Sequence, residues 1–439
     1  MDSQRYGLFR PVCSWVLIIL VCYASSLVSR PPVRADEPTP SVKSNDEVES
    51  LIEQLSDPAF AAREAASKRL LEIGAPTLER LRQAQKHASL EVQERAKRIC
   101  EEIDRVVFES VAKKFILAAD GTQSFGLPAW KAFRSISGDS RSSKLLFVTM
   151  LRSQPELAVL IDAVTAVSDE ANSVLVYEQL ASKASSEAER LRSRSNRGEL
   201  PAVGDTVGLL MACSMFNDTS SIASPSNEVN EVIVASLFRG PQTDYFSQAG
   251  YGRCLRALAG KWISKTHSAL ADDVLALAMQ QGIPEGAIIA RRHLSPSSDR
   301  ETRVRALKCL ARFGNEADIE SVSKLLNDES IVYEFPDLGP IGLPRDGIRE
   351  EDMPPPGLQR PKLPTDEHRM IVRLNDVALA VCMTLGAEDL TKSFPNFVPS
   401  DSNPLQLADC AFASDAQEYH KLAIARWKQK HPQFVEKAN

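Results

Sequence analysis

A short helical pattern occurs twice between Ala59 and Ile103, and it constrains the fold of this chain more than any other feature. The second copy follows the first at an interval of 30 residues, as from Ala62 to Val92. Small or apolar residues recur at equivalent positions of the two copies, namely Val48/Leu78, Leu51/Leu81, Ala66/Ala96, Leu70/Cys100 and Ile73/Ile103. A fixed period of this size predicts stacked helical hairpins, because each hairpin alone leaves an apolar stripe exposed.

The same pattern returns near the C-terminus. Five residues there match the first copy position by position, and the pairs are Arg303/Arg63, Ala306/Ala66, Leu310/Leu70, Phe313/Ile73 and Gly314/Gly74. The segment Val372–Gly386 fits another helix of this type, with Arg373 in a position that looks equivalent by motif. We therefore predict an all-α chain, an α-solenoid of short helical hairpins with a divergent helical middle region.

The first copy resembles the HEAT-like repeats of secreted bacterial proteins, a family of unknown function. The residues that carry the resemblance are Asp57-Pro58, Phe60, Arg63-Glu64-Ala65-Ala66 and Ile73-Gly74. A second segment, Leu127–Phe133 followed by Gly138–Ser140, looks like one found in the same broad group. The resemblance implies a fold and no activity, because such repeats serve many unrelated partners.

The N-terminus has the features of a secretory leader. Arg5 and Arg10 precede an apolar run over residues 12–28, and small residues around Val33 and Ala35 form a possible cleavage site. This pattern predicts a signal peptide cut after Ala35 and a protein exported to the periplasm or cell envelope of a bacterium. An uncleaved membrane anchor is the alternative, since a run of about 17 apolar residues is near the shortest that spans a bilayer.

Composition shifts and breaks in the helical pattern divide the chain into seven regions. They are a signal peptide over 1–35, a disordered tether over 36–45, N-terminal HEAT-like repeats over 46–105, a divergent helical region over 106–295, a HEAT-like repeat over 296–331, a Pro/Gly-rich loop over 332–367, and C-terminal HEAT-like helices with a capping helix over 368–439. The net charge is only −6, which argues against a general nucleic-acid binder.

Motifs of known chemistry are not found in the sequence, which contains no phosphate loop, HExxH, GxSxG or zinc-type cysteine spacing. Cys13 and Cys22 lie in the leader, and the other six cysteines are too scattered to indicate a metal site. The six histidines, at 87, 267, 293, 368, 420 and 431, form no pair at helical spacing. We predict no catalytic, cofactor-binding or metal-binding residue, and no cofactor.

Five further features of the sequence favour structural roles over binding or catalytic ones. Ser321 and Lys324 fit an SxxK pattern by accident, and an arginine run over 190–197 is interpreted as a solvated loop rather than an anion site. The acidic residues 350–352 lack the spaced ligands of a calcium loop. The repeat arginines at 63, 303 and 373 are expected to tie one hairpin to the next through a carboxylate such as Asp376, and Trp130 and Trp262 to pack in the core.

Three functions remain open on these observations. The favoured one is a secreted, non-catalytic scaffold that binds another macromolecule, a protein above all, because repeat arrays form extended binding surfaces. The second is a membrane-anchored structural protein held by an uncleaved leader. The third is an envelope hydrolase with a site in the middle region 106–295.

Overall fold

A computed structural model describes residues 45–167, 170–216, 226–239, 242–265, 270–335, 370–394, 397, 405–413 and 417–435. The chain divides into two compact units. The N-terminal unit comprises the chain up to Lys183 together with Ala202–Gly208, and the C-terminal unit comprises Ala184–Pro201 and Leu209 onward. The predicted leader, most of the tether and residues 350–352 lie outside the described residues.

The N-terminal unit begins with the predicted repeat. Its helices are α1 (Asn45–Gln54), α2 (Phe60–Ile73), α3 (Leu78–Ala84), α4 (Leu90–Leu117), α5 (Trp130–Ser137), α6 (Arg141–Ser153) and α7 (Pro155–Ala166). The repeat positions of α1–α4 pack into one core, in which Ala66, Leu70, Ala96, Cys100 and Ile103 are buried. Gly74 ends α2 with a φ of 73°, a conformation that glycine adopts at no steric cost. The predicted register of the repeat is confirmed.

Helix α4 runs without a break through residue 105, where the sequence predicted the end of the repeat region. No glycine or proline occurs between Leu90 and Leu117, so nothing interrupts the backbone hydrogen bonds. Phe108, Ala112 and Phe115 continue its buried stripe. The second copy of the repeat is therefore the first half of a long helix.

The segment Leu127–Phe133 contributes to an aromatic core behind α4. The rings of Phe115 and Trp130 lie 4.8 Å apart edge to face, and Phe147 is in contact with both. As predicted, two helices meet near Gly138, where Ser140 caps α6 by accepting a hydrogen bond from the Ser143 N–H at 3.1 Å. The residues that carry the second resemblance therefore pack in this core or cap a helix.

The C-terminal unit is also mainly helical. Helices α8 (Glu170–Asn196) and α9 (Val203–Ser214) belong partly to each unit, and α10 (Asn227–Arg239), α11 (Gln242–Ser247), α12 (Ala249–Lys265), α13 (Ala271–Gln281), α14 (Gly286–Arg292), α15 (Arg300–Phe313), α16 (Ile319–Ser323), α17 (Leu374–Leu385), α18 (Gln417–Lys430) and α19 (Pro432–Val435) follow. The all-α class is confirmed for the bulk of the described chain. The arginine run 190–197, predicted as a loop, lies largely in α8, where its arginines and Leu191 are good helix formers.

A small antiparallel sheet in this unit differs from the all-helical prediction. Strands β1 (Ile331–Phe335), β2 (Met370–Arg373) and β3 (Phe412–Ala413) are arranged in the order β1-β2-β3. Residues 332–335 were predicted as loop and residues 372–373 as the start of a helix, and both predictions are wrong. Short runs of β-branched and aromatic residues such as Ile331–Phe335 carry too few positions to reveal their period. Residues 336–367 of the predicted loop lie outside the described part of the chain.

Candidate functional site

The first turns of α2 and α4 expose two large apolar side chains at the same position of the repeat. Phe60 opens α2 and is 63% exposed, whereas Leu90 opens α4 and is 70% exposed. Single exposed apolar residues are normal, and here one lies at the same place in each of the two copies. We call Phe60, Leu90 and the charged residues between them (Arg63, Glu64, Glu91 and Arg95) the first-turn surface.

Ion pairs hold the two helix starts of the first-turn surface together. Arg95 donates to Glu91 at 2.6 Å and to Glu64 at 2.7 Å, so it links α4 to α2. Arg63 lies 3.5 Å from Glu91, and its guanidinium sits 5.6 Å from the centre of the Phe60 ring. The hydrogen bond from Arg95 lowers the pKa of Glu91, which is therefore ionised at neutral pH.

The repeat arginines join neighbouring segments, but not through the carboxylate that the sequence indicated. Arg63 donates to the carbonyl oxygens of Asp57 and Pro58 at 2.7 and 3.1 Å. Arg303 donates to Asp328 Oδ2 at 2.6 Å, after the 3₁₀ turn Lys324–Asn327. Arg373 belongs to β2 and not to a helix.

Aligning the glycines that end α15 and α17 shows why Arg373 is not the equivalent residue. Gly386 follows Gly314 by 72 residues, and the same step from Arg303 leads to Asn375. Asn375 is buried, and its backbone N–H donates to the Asp328 carbonyl at 3.0 Å. Asp328 therefore contacts the equivalent positions of both helices.

A buried polar group lies where β2 enters α17. Asp376 is fully buried, and one of its oxygens accepts the Arg373 backbone N–H at 2.8 Å while the other pairs with His420 Nδ1. This pair links α17 to α18. Arg373 Nη1 and Asn375 Oδ1 are also buried, and neither has a hydrogen-bond partner among the described residues. Sequence reasoning missed the Asp376–His420 pair, because 44 residues separate its members.

Comparison with protein-family models, with curated proteins and with solved structures found no significant similarity. The resemblance to HEAT-like repeats therefore stays a prediction, and the arguments about function rest on the residues themselves.

The arginine run has its charge neutralised by nearby carboxylates. Arg190 pairs with Glu187 at 2.6 Å, and Arg194 and Arg197 both pair with Glu199, at 2.9 and 3.2 Å. Arg192 pairs with Glu228 at 3.3 Å and also with Glu231. These contacts support the structural role for the run.

The other singled-out residues also occupy ordinary structural positions. Ser321 and Lys324 are both exposed, and no described contact joins them. Trp130 donates to the Gly121 carbonyl at 2.8 Å, and Trp262 donates to Asn230 at 2.9 Å; both rings are buried. His293 follows the last residue of α14, and its ring lies 3.3 Å from the Ser298 hydroxyl.

The six cysteines outside the leader are buried, and burial disfavours the thiolate form of five of them. Burial raises the pKa of Cys100 to about 11 and that of Cys213 and Cys309 to about 12. Burial likewise raises the pKa of Cys382 and of Cys410. The described residues contain no group of three metal-ligating side chains. Nor does any described helix have the length and apolarity to span a membrane.

Proposed function

We propose that this chain is a non-catalytic helical scaffold that binds another macromolecule, a protein, through the first-turn surface. The observation that carries the proposal is the exposure of Phe60 and Leu90 at one position of the repeat. Covering a large apolar side chain contributes on the order of 1.5–3 kcal/mol, so two of them can anchor an interface. Ion pairs link the two helix starts that carry these anchors, so their backbones need little ordering when a partner binds.

The non-catalytic part of the proposal draws support from the thiols. At neutral pH a thiol whose pKa is about 11 or 12 is protonated and reacts slowly as a nucleophile. The Asp376–His420 pair resembles part of a catalytic group, but both side chains are almost fully buried. In this proposal the pair holds α18 against α17.

We also propose that the protein is exported to the bacterial envelope, because its N-terminal sequence has the pattern of a secretory leader. Mass spectrometry of the mature protein from its native host tests this part. A polypeptide that starts at Asp36 would show cleavage after Ala35, whereas retention of residues 12–28 would favour the membrane-anchored alternative.

Affinity capture with surface variants tests the binding function. The full-length chain and its Phe60→Ser/Leu90→Ser variant are used to capture proteins from the envelope fraction after crosslinking in cells. We expect the native chain to recover a specific partner that the double variant loses. Val106→Ser is the matched control, because Val106 is 56% exposed on the same helix as Leu90 but lies about 160° around it. Equal recovery by all three proteins would refute the proposal.

A further inference from the structure

Strand β1 forms one edge of the sheet in the C-terminal unit. Among the described residues it pairs only with β2, in antiparallel register from Tyr333 opposite Val372 to Phe335 opposite Met370. Alternate residues of an edge strand direct their N–H and C=O groups away from the sheet. The outer side of β1 can therefore accept another extended strand.

The exposed apolar side chains of the C-terminal unit concentrate on this strand. Ile331 is 38% exposed and Tyr333 is 49% exposed, and Leu200 is the only other large apolar side chain that is exposed among the described residues of this unit. The neighbouring strand β2 is buried along its whole length. The rings of Tyr333 and Phe335 are 4.6 Å apart, which places both on one face of β1.

Two acidic residues lie next to this apolar face without sharing it, Glu329 just before β1 and Glu334 on the opposite face of the strand. Glu329 and Glu334 are exposed, and no described residue forms an ion pair or a side-chain hydrogen bond with either. The third acidic residue nearby, Asp328, is already paired with Arg303 at 2.6 Å. The edge of β1 thus combines unpaired backbone groups, apolar side chains and uncompensated negative charge.

We propose that the outer edge of β1 binds an extended segment of another protein, in which lysine or arginine alternates with apolar residues, as a fourth strand of the sheet. Backbone hydrogen bonds provide affinity in this mode, and alternate side chains provide specificity. The charge argues against a second copy of this chain as the occupant. Antiparallel pairing of β1 with itself would bring four exposed carboxylates together, and like charges on paired strands are destabilising.

Binding of synthetic peptides to the full-length chain tests this proposal. The probe is a fluorescently labelled peptide of about eight residues, long enough to cover β1, in which lysine alternates with valine. Fluorescence anisotropy should show saturable binding of this peptide and none of a peptide in which glutamate replaces lysine. Absence of saturable binding up to about 1 mM lysine peptide, a free energy of only about −4 kcal/mol, would overturn the proposal.

N-methylation of the peptide separates strand addition from simple charge attraction. An extended peptide presents its odd-numbered N–H groups on one edge and its even-numbered ones on the other. Methyl groups on one set should abolish binding, and methyl groups on the other set should leave it within about twofold, because only one edge meets β1. Equal binding of the two methylated peptides would contradict pairing with the strand.

Surface variants locate the binding to this strand. Glu329→Lys/Glu334→Lys should weaken binding of the lysine peptide by about tenfold or more and create binding of the glutamate peptide. Tyr333→Ser should weaken the lysine peptide too, whereas Leu200→Ser and Glu316→Lys, at exposed positions of the same unit, should not. An unchanged affinity of the charge-reversed variant would overturn the proposal. Dimerisation of the chain would also overturn the proposal if Tyr333→Ser abolished the dimer, since a second copy would then occupy the edge of β1.

This proposal stands apart from the first-turn surface. The two surfaces lie in different units, and the variants of one leave the other intact. If the chain captures its envelope partner but does not bind the peptides, the proposed scaffold function stands and only the β1 site is refuted.

Discussion

Helices α2 and α15 carry the same repeat positions and have the same length, yet their burial differs sharply. Both contain 14 residues and both end at a glycine, Gly74 and Gly314. In α2 the buried residues are Ala66 and Leu70 alone, whereas in α15 they are Thr302, Val304, Ala306, Leu307, Cys309, Leu310 and Ala311. One motif thus forms an outer helix in the N-terminal unit and an enclosed helix in the C-terminal unit.

The difference follows from the neighbours of each helix. Helix α2 packs against α1 and α4, whereas α15 packs against α13, α14 and α17. The first residue of each helix changes as well, from Phe60 in α2 to Arg300 in α15, and both are exposed. A repeat motif therefore specifies the buried stripe, and the surrounding chain decides whether the opposite side becomes core or a surface for binding.

The largest expected effect comes from a charge placed on the shared buried alanine. Ala306→Asp should destabilise the C-terminal unit by on the order of 4 kcal/mol, because the carboxylate would be enclosed without a partner. Ala66→Asp should cost about 2–3 kcal/mol, since the open side of α2 lets the group reach water. Hydrogen exchange resolved by mass spectrometry measures each unit separately. Ala65→Asp, at an exposed alanine beside Ala66, is the control and should stay within about 0.5 kcal/mol.

Truncation of the leucine that α2 and α15 share should again destabilise the C-terminal unit more than the N-terminal unit. The losses should be smaller than those of the charge substitutions. Leu310→Ala is expected to cost about 3 kcal/mol and Leu70→Ala about 2 kcal/mol, because the surroundings of an outer helix can collapse into the cavity more readily. Denaturant unfolding of the full chain, with exchange data to assign the unit, provides the values. Equal losses at the two positions would mean that α2 is as enclosed as α15.

The arginine that α2 and α15 share, Arg63 and Arg303, should contribute differently to stability in the two helices as the pH falls. Burial by itself raises the pKa of Asp328, but hydrogen bonds from Ser330 and Arg303 outweigh it and hold the pKa below its usual value. Because the folded pKa is the lower one, Asp328 stabilises the fold above about pH 4 and loses this contribution as the pH falls through the folded pKa.

Replacing the two arginines separates these responses. Arg303→Gln should cost about 1–2 kcal/mol at pH 7, and the deficit should shrink as the pH falls below about 4. Arg63→Gln should cost less, with a deficit that depends less on pH, because Arg63 donates mainly to carbonyl oxygens that do not titrate. Unfolding curves of both variants are measured between about pH 3 and pH 7, the range in which carboxylates titrate. A deficit for Arg303→Gln that is constant with pH would contradict the role of Asp328.

The smallest effect on stability is expected at the first-turn surface. Phe60→Ser/Leu90→Ser should change the free energy of unfolding by no more than about 0.5 kcal/mol, since both side chains are already largely in water. Thermal and denaturant unfolding check this value. A loss of several kcal/mol would mean that the two residues serve the fold and would remove the main argument for a binding surface.

The sequence was sufficient where periodicity decides the outcome and insufficient where distant segments meet. The burial of Ala66, Leu70 and Ala96 followed from the repeat of 30 residues. The pairing of β1 with β2 across residues 336–369 was missed, because short apolar runs do not distinguish strand from helix. The Asp376–His420 pair was missed for a similar reason. Periodicity also could not show that Phe60 and Leu90 are exposed, because the first turn of a helix can face either core or solvent.

Site-specific photo-crosslinking in living cells tests the scaffold function most directly. A photoreactive amino acid is placed at position 60, 90 or 106 of the full-length chain in its native host. We predict that positions 60 and 90 crosslink to the same protein partner and that position 106, about 24 Å along α4 from position 90, does not. Crosslinks of equal yield from all three positions, or none from 60 and 90, would contradict the assignment of the first-turn surface as the binding site.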